Sequence, residues 1–178
     1  MKRLLAGAIL AMALTAPAWA ALKPGAEAPD FSVKAALGGK DFDFHLKDAL
    51  KKGPVVLYFF PAAFTPGCTA EAHAFAEATD DFVKQGATLI GLTAGNIDRV
   101  TEFSKVECRD KFPVAADAGA KIATAYDSSL ALKPGWSDRT SYVIGQDGKI
   151  VYAYSNLNPD DHVKNTMAAV VALKAKKG

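Results

Sequence analysis

The stretch PVVLYFFPAAFTPGCTAEAHAF, residues 54–75, decides the fold. Its opening run, 54 to 60, is continuously β-branched and aromatic, the pattern of a strand buried on both faces. From about 67 to 85, Ala72, Phe75, Ala76, Thr79, Phe82 and Val83 recur at helical spacing and give a helix one apolar side. A second apolar run, ATLIGLTA, follows over 87–94. Strand, helix and strand in that order predict a crossover, and hence parallel pairing.

The flanking segments extend this unit. RTSYVIGQDGKIVYAYS, 139–155, predicts a hairpin turning at Asp147-Gly148. Toward the N-terminus, DFSVKA and KDFDFHL alternate with period two and predict an accessory pair of strands before a short lysine-rich helix. A second helix is expected from Asn96 to about Phe112, burying Ile97, Val100 and Phe103, with Cys108 near its end. The last helix takes Asn158 as N-cap, Pro159 as first helical residue, and Asp160 and Asp161 in its first turn. Its expected buried face is Val163, Met167, Val170 and Val171. The sum is an α/β sandwich with a mixed central sheet flanked by helices.

The N-terminal residues have the composition of an export signal. Lys2 and Arg3 precede an apolar stretch from Leu4 to about Thr15, then Pro17 and the small-residue pattern Ala18-Trp19-Ala20. We expect residues 1–20 to be a cleaved signal peptide and 21–178 a single domain, exported to the periplasm and not anchored in a membrane. Cleavage removes Lys2 and Arg3 and no acidic residue, which takes the formal charge from +2 to neutral. A neutral mature chain lacks the clustered basic excess that nucleic acid or an anionic membrane requires.

Cys68 stands at the join of strand and helix. Thr65-Pro66 is a helix-start signal, with Thr65 as N-cap and Pro66 at the first position, so Cys68 falls in the first turn. A sulfur there faces amide N–H groups with no carbonyl partner and the positive end of the helix dipole, which favour its thiolate. Lowering a thiol pKa from about 8.5 to about 6 raises the thiolate share at pH 7 from roughly 3% to roughly 90%. Glu71 counts against this, since a carboxylate three residues along lies on the same face and disfavours the anion. His73, about 140° round the helix from Cys68, is expected at the surface.

Pro61, Thr65 and Cys68 together spell P-x-x-x-T-x-x-C, and with PGAEAPDFSV and DRTSYVIGQDGKIVYAY the chain resembles the peroxiredoxin family, most closely its bacterioferritin-comigratory type. The resemblance implies a thioredoxin-like fold and a thiol peroxidase. Cys68 would attack a hydroperoxide and become a sulfenic acid, Thr65 would orient the peroxide, and Pro61 would shield the sulfur. Arg139 would supply a cation, an assignment that rests on resemblance alone, and Glu71 would hold that arginine. It also implies a monomer. The chain carries no Gly-rich phosphate loop, flavin fingerprint or Ser-His-Asp order, so no bound cofactor is expected and electrons are to come from an external thiol reductant of thioredoxin-like or glutaredoxin-like kind.

Many relatives of this type carry a second cysteine five residues after the first, where this chain has His73. Cys108, 40 positions downstream, resembles the alternative placement on the following helix and is the candidate resolving cysteine, with local unwinding required. A permanent Cys68–Cys108 staple and a buried bystander are the competing readings. Thr65-Pro66-Gly67-Cys68 lacks the first sulfur of a C-x-x-C motif, which excludes dithiol exchange at that site. Cys68, Cys108, His45, His73 and His162 lack zinc-ligand spacing. A non-catalytic exported binding protein of the same fold is the alternative function.

Overall fold

In the computed structural model, the structure describes residues 21–176, so the expected signal segment 1–20 lies outside the described residues. The elements are β1 (Ser32–Leu37), β2 (Lys40–His45), α1 (Leu46–Lys52), β3 (Val55–Ala62), α2 (Pro66–Lys84), β4 (Thr88–Gly95), a 3-10 turn (Ile97–Arg99), α3 (Val100–Val106), β5 (Val114–Ala116), α4 (Lys121–Ala125), β6 (Thr140–Ile144), β7 (Ile150–Ser155) and α5 (His162–Ala175). The seven strands form one sheet in the order β2-β1-β5-β4-β3-β6-β7. Pairing of β3 with β4 and of β4 with β5 is parallel, and the remaining pairs are antiparallel. The expected crossover, the N-terminal strand pair and the C-terminal hairpin are all present.

Strand β3 is central and buried on both faces, as its unbroken apolar run requires. Its alternate residues feed two cores. Val55, Leu57 and Phe59 pack with Leu46, Leu50, Ala123 and Tyr126 on the face covered by α1 and α4. Val56, Tyr58 and Phe60 pack with Phe75, Phe82, Phe103 and Val170 under α2, α3 and α5. Tyr58 stacks on Phe75 at 4.4 Å between ring centroids, and this requires Gly91, where a Cβ would stand 2.6 Å from the Tyr58 ring.

Four details depart from expectation. The second helix is broken: Asn96 is left-handed at φ 52°, α3 ends at Val106, and Arg109 and Asp110 are left-handed at φ 52° and 57°. Cys108 therefore lies beyond the helix, in an irregular segment. The last helix starts later than expected. Asn156 and Asn158 accept from the backbone N–H two residues on, at 2.9 Å and 3.2 Å, and these local turns compete with helix. The cap is Asp161 and the first helical residue is His162, which with Thr166 and Val170 forms the buried row. Ile97, expected in the buried row, is exposed because it opens the 3-10 turn ahead of α3, and Val83 and Val171 are exposed because each is about 100° round the helix from its buried neighbour Phe82 or Val170. Strand β5 and helix α4 are too short to show a period.

Candidate active site

The site is built where β3 hands the chain to α2. Ladder pairing of β3 with β6 ends at Phe59 opposite Thr140, so Pro61, with no N–H to donate, sits beyond the last antiparallel partner and is half-buried. Phe64 is left-handed at φ 61°, Thr65 is extended, and α2 starts at Pro66. Thr65 takes the N-cap position but its hydroxyl makes no capping bond. The hydroxyl donates to the Ala62 carbonyl at 3.0 Å, so Thr65 is the N-cap by position and not by a side-chain bond. With the proton committed to a carbonyl, the Thr65 oxygen presents lone pairs to a ligand.

Cys68 lies in the first turn of α2 and is buried. Arg139, just before β6 and only 4% exposed, donates from Nη2 to Cys68 Sγ at 3.4 Å. The same guanidinium donates from Nη1 to Glu71 Oε2 and from Nε to the Leu157 carbonyl at 2.8 Å, so a planar fork serves three acceptors. Burial opposes the Arg139 charge, and the neighbouring Glu71 and Cys68 outweigh that and hold the guanidinium protonated. Gly67 makes room for the arrangement, since a Cβ there would lie 3.2 Å from Arg139 Nη2.

Glu71 is fully buried. Burial pushes its carboxyl well above the ordinary range, and Arg139 pulls it back by charge and hydrogen bond. The carboxylate that counted against a thiolate is thus turned toward the arginine and not toward the sulfur. Its second oxygen, Oε1, has no hydrogen-bond partner among the described residues and stands 3.7 Å from His162 Nδ1. His162 is also fully buried, between the Ser141 hydroxyl at 2.8 Å from Nδ1 and the Asn156 carbonyl at 2.9 Å from Nε2. A carbonyl only accepts, so Nε2 carries the hydrogen and Nδ1 accepts from Ser141.

His162 has a measurable consequence for acid stability. Burial holds its pKa down at about 4, with the Arg139 charge acting in the same sense and the Asn156 bond and Asp161 opposing. A depressed imidazole leaves the fold favoured above its ordinary range and costs stability as pH falls toward 4, by roughly 3 kcal/mol in full. Glu71, raised, contributes the opposite slope, so the imidazole's share is read by comparison with a variant. The denaturant-measured cost of His162→Gln should be roughly 3 kcal/mol smaller at pH 4 than at pH 7. An equal cost at both pH values would show that the imidazole is not held neutral.

Cys108 is fully buried and, like Cys68, is a free thiol. Burial pushes its pKa well above the ordinary thiol value, and the Glu107 charge adds to this. The segment around it is tied to α2 by one hydrogen bond and two ion pairs. His73 Nε2 lies 2.6 Å from Glu107 Oε2, Arg109 Nη1 lies 3.1 Å from Glu77 Oε1, and Lys111 Nζ lies 3.1 Å from Asp80 Oδ2. Positions 73, 77 and 80 form one stripe on α2. His73, expected at the surface, is 35% exposed and serves as the innermost tie.

The structure therefore brings Cys68, Arg139 and Glu71 together, with Thr65 and Pro61 on the turn leading into α2. Cys108 stays on a separate element with no bond to Cys68. Sequence reasoning missed Gly67 as the space for the guanidinium and His162 as the neighbour of Glu71. The His162, Thr166, Val170 spacing was the available signal, obscured by the helix start assigned to Asn158.

Comparisons with known proteins agree with this fold. The profile of the AhpC/TSA family matches residues 24–153. A chloroplastic peroxiredoxin Q of rice (Oryza sativa subsp. japonica) is 31% identical over 150 residues, covering 84% of this chain and 67% of the relative. A putative peroxiredoxin of Mycobacterium tuberculosis (strain H37Rv) is 30% identical over 157 residues, covering 86% of this chain and 99% of that one. Among solved structures, the peroxidoxin BcpB of Mycobacterium tuberculosis superposes with a TM-score of 0.76 at 30% identity, covering 85% of this chain and 98% of that chain. The 2-Cys peroxiredoxin of Plasmodium vivax, at 22% identity and a TM-score of 0.74, shares the fold. A profile spanning most of the chain, and relatives matched over most of their own length, establish that this protein belongs to the AhpC/TSA family, with relatives of the peroxiredoxin Q type.

Proposed function

We infer that the protein is a thiol-dependent peroxidase acting on hydrogen peroxide or organic hydroperoxides through Cys68. The observation that carries this reading is the guanidinium of Arg139 donating directly to a buried first-turn sulfur. In the reaction, the Cys68 thiolate attacks the terminal peroxide oxygen. An S–O bond forms, the O–O bond breaks, and the departing alkoxide takes a proton to leave as alcohol, or as water from hydrogen peroxide. Arg139 stabilises negative charge first on sulfur and then on the parting oxygens. The Thr65 oxygen accepts from the peroxide O–H, and Pro61 shields the sulfur from water. Turnover should appear as consumption of one hydroperoxide per disulfide formed in a dithiol reductant. No consumption above the reductant's own rate would refute the reading.

Cys108 resolves the sulfenic acid in this scheme. Its sulfur replaces the hydroxyl of Cys68–SOH, water leaves, and the disulfide is reduced by an external thiol of thioredoxin-like or glutaredoxin-like kind. A thiol must ionise to attack, and burial and Glu107 hold Cys108 protonated, so the 107–111 segment has to lift before it reacts. Its ties to α2 are few and two of them are exposed ion pairs, and its two left-handed residues interrupt regular structure, which makes this segment the natural place to open. Glu77→Gln combined with Asp80→Asn should speed labelling of Cys108 in the native protein by about threefold to tenfold. High salt should do the same in the wild type. An unchanged labelling rate would show that these pairs do not hold the segment.

Export to the periplasm after cleavage behind Ala20 belongs to the same proposal and is supported by the composition of residues 1–20. The mature chain would act there as a monomer. Mass determination of the protein recovered from the periplasmic fraction tests the cleavage site.

A further inference from the structure

We propose that His162 is a positioning residue for the peroxide reaction: it closes the far side of Glu71, so that this carboxyl fixes Arg139 and Arg139 in turn presents Nη2 to Cys68 Sγ. The inference rests on Cys68 being the residue oxidised by peroxide.

The five side chains form one buried line drawn from three elements and the residue that precedes one of them. Cys68 and Glu71 are on α2, Arg139 immediately precedes β6, Ser141 is on β6, and His162 is the first residue of α5. Arg139 touches Cys68 through Nη2 and Glu71 through Nη1, so the guanidinium's rotation is set by the carboxyl plane. That plane is fixed only if both carboxyl oxygens are constrained. Oε2 is held by Arg139, whereas Oε1 has no hydrogen bond among the described residues and faces His162 Nδ1 at 3.7 Å. An imidazole is well suited to this place. Its own orientation is locked from both ends by Ser141 and Asn156, and the Tyr154 ring stands edge-on at 4.8 Å between centroids.

The charges around the imidazole fit the same role. The groups acting on it are Glu71 from α2, Arg139 beside β6, and Asp161 at the helix cap. Ser141 takes up the Nδ1 lone pair, so the imidazole packs against Oε1 without bonding to it, while Oε2 accepts from Arg139. Nη2 is then left for the sulfur.

The test is the second-order rate of Cys68 oxidation by hydrogen peroxide, with the later disulfide step recorded separately in the same experiment. His162→Leu should slow oxidation by about tenfold, because small misplacements of a positioned group cost at least that much, and should leave disulfide formation unchanged. His162→Asn keeps a polar atom at the Nδ1 place and should recover most of the rate. In a Glu71→Gln background, His162→Leu should add less than about twofold, as expected when one residue acts through the other. Ser141→Ala, which frees the imidazole without removing it, should slow oxidation in the wild-type background and not in Glu71→Gln, and carries the test if His162→Leu does not fold. The proposal is overturned if His162→Leu and Ser141→Ala both oxidise at the wild-type rate, if both steps slow equally, or if the losses multiply with Glu71→Gln. A wild-type protein whose Cys68 does not react at all would instead overturn the peroxidase reading.

Discussion

Cys68→Ser should abolish hydroperoxide turnover, by at least about a thousandfold, while leaving the fold in place. A serine hydroxyl is not ionised near neutrality and is a poor nucleophile without an adjacent base, and no imidazole touches position 68. The substitution is nearly isosteric, and the new hydroxyl keeps Arg139 as a partner. Helix α2 also retains its other anchors, Ala72, Phe75, Ala76 and Phe82, under the sheet. The melting temperature should therefore move little while activity disappears. Substantial residual turnover would place the chemistry elsewhere.

Removing the Arg139 guanidinium should damage both rate and stability. Arg139→Met deletes the donor to Cys68 Sγ and leaves Glu71 buried without its cation. Loss of a preorganised donor of this kind typically costs about a hundredfold to a thousandfold in rate. Breaking one side of a buried ion pair costs about 3 kcal/mol or more, and removing both partners together is far milder. Arg139→Met with Glu71→Gln should accordingly regain much of the lost stability and none of the lost rate. Arg139→Lys should fall between, since an ammonium cannot reach Sγ, Glu71 and the Leu157 carbonyl in one plane. If the double variant were as unstable as Arg139→Met alone, the pair would not be the source of the loss.

The sheet was legible in the sequence wherever local pattern and tertiary burial agree. The run from Val55 to Phe60 is apolar on both faces because both faces are covered, and the 139–155 segment turns at Gly148, which adopts φ 78°. Thr65-Pro66 marked the start of α2 to within a residue. Pattern failed where the backbone left its period. Arg109 and Asp110 occupy left-handed conformations that nothing in the KVECRDKF stretch signals, so Cys108 was assigned to a helix it lies beyond. The helix start at Asn158 looked sound by cap chemistry, and the two asparagine turns there displaced it to His162.

The site divides the same way. Cys68 and Thr65 were legible because their chemistry follows from position on one helix turn. Arg139 lies 71 residues from Cys68, and only three-dimensional pairing of β6 with β3 brings the two together. Glu71 could be read as a liability or a support, and its orientation toward Arg139 decides between them. His162 depends on contacts with α2, β6 and the loop after β7, none of which leaves a local trace.

Mass spectrometry of the reduced Cys108→Ser protein after one equivalent of hydrogen peroxide tests the central claim most directly. The account requires one added oxygen, carried by the peptide that contains Cys68, and in the wild type a Cys68–Cys108 disulfide with no oxygen retained. An unmodified Cys68 in the presence of consumed peroxide, or oxygen found on another residue first, would contradict it.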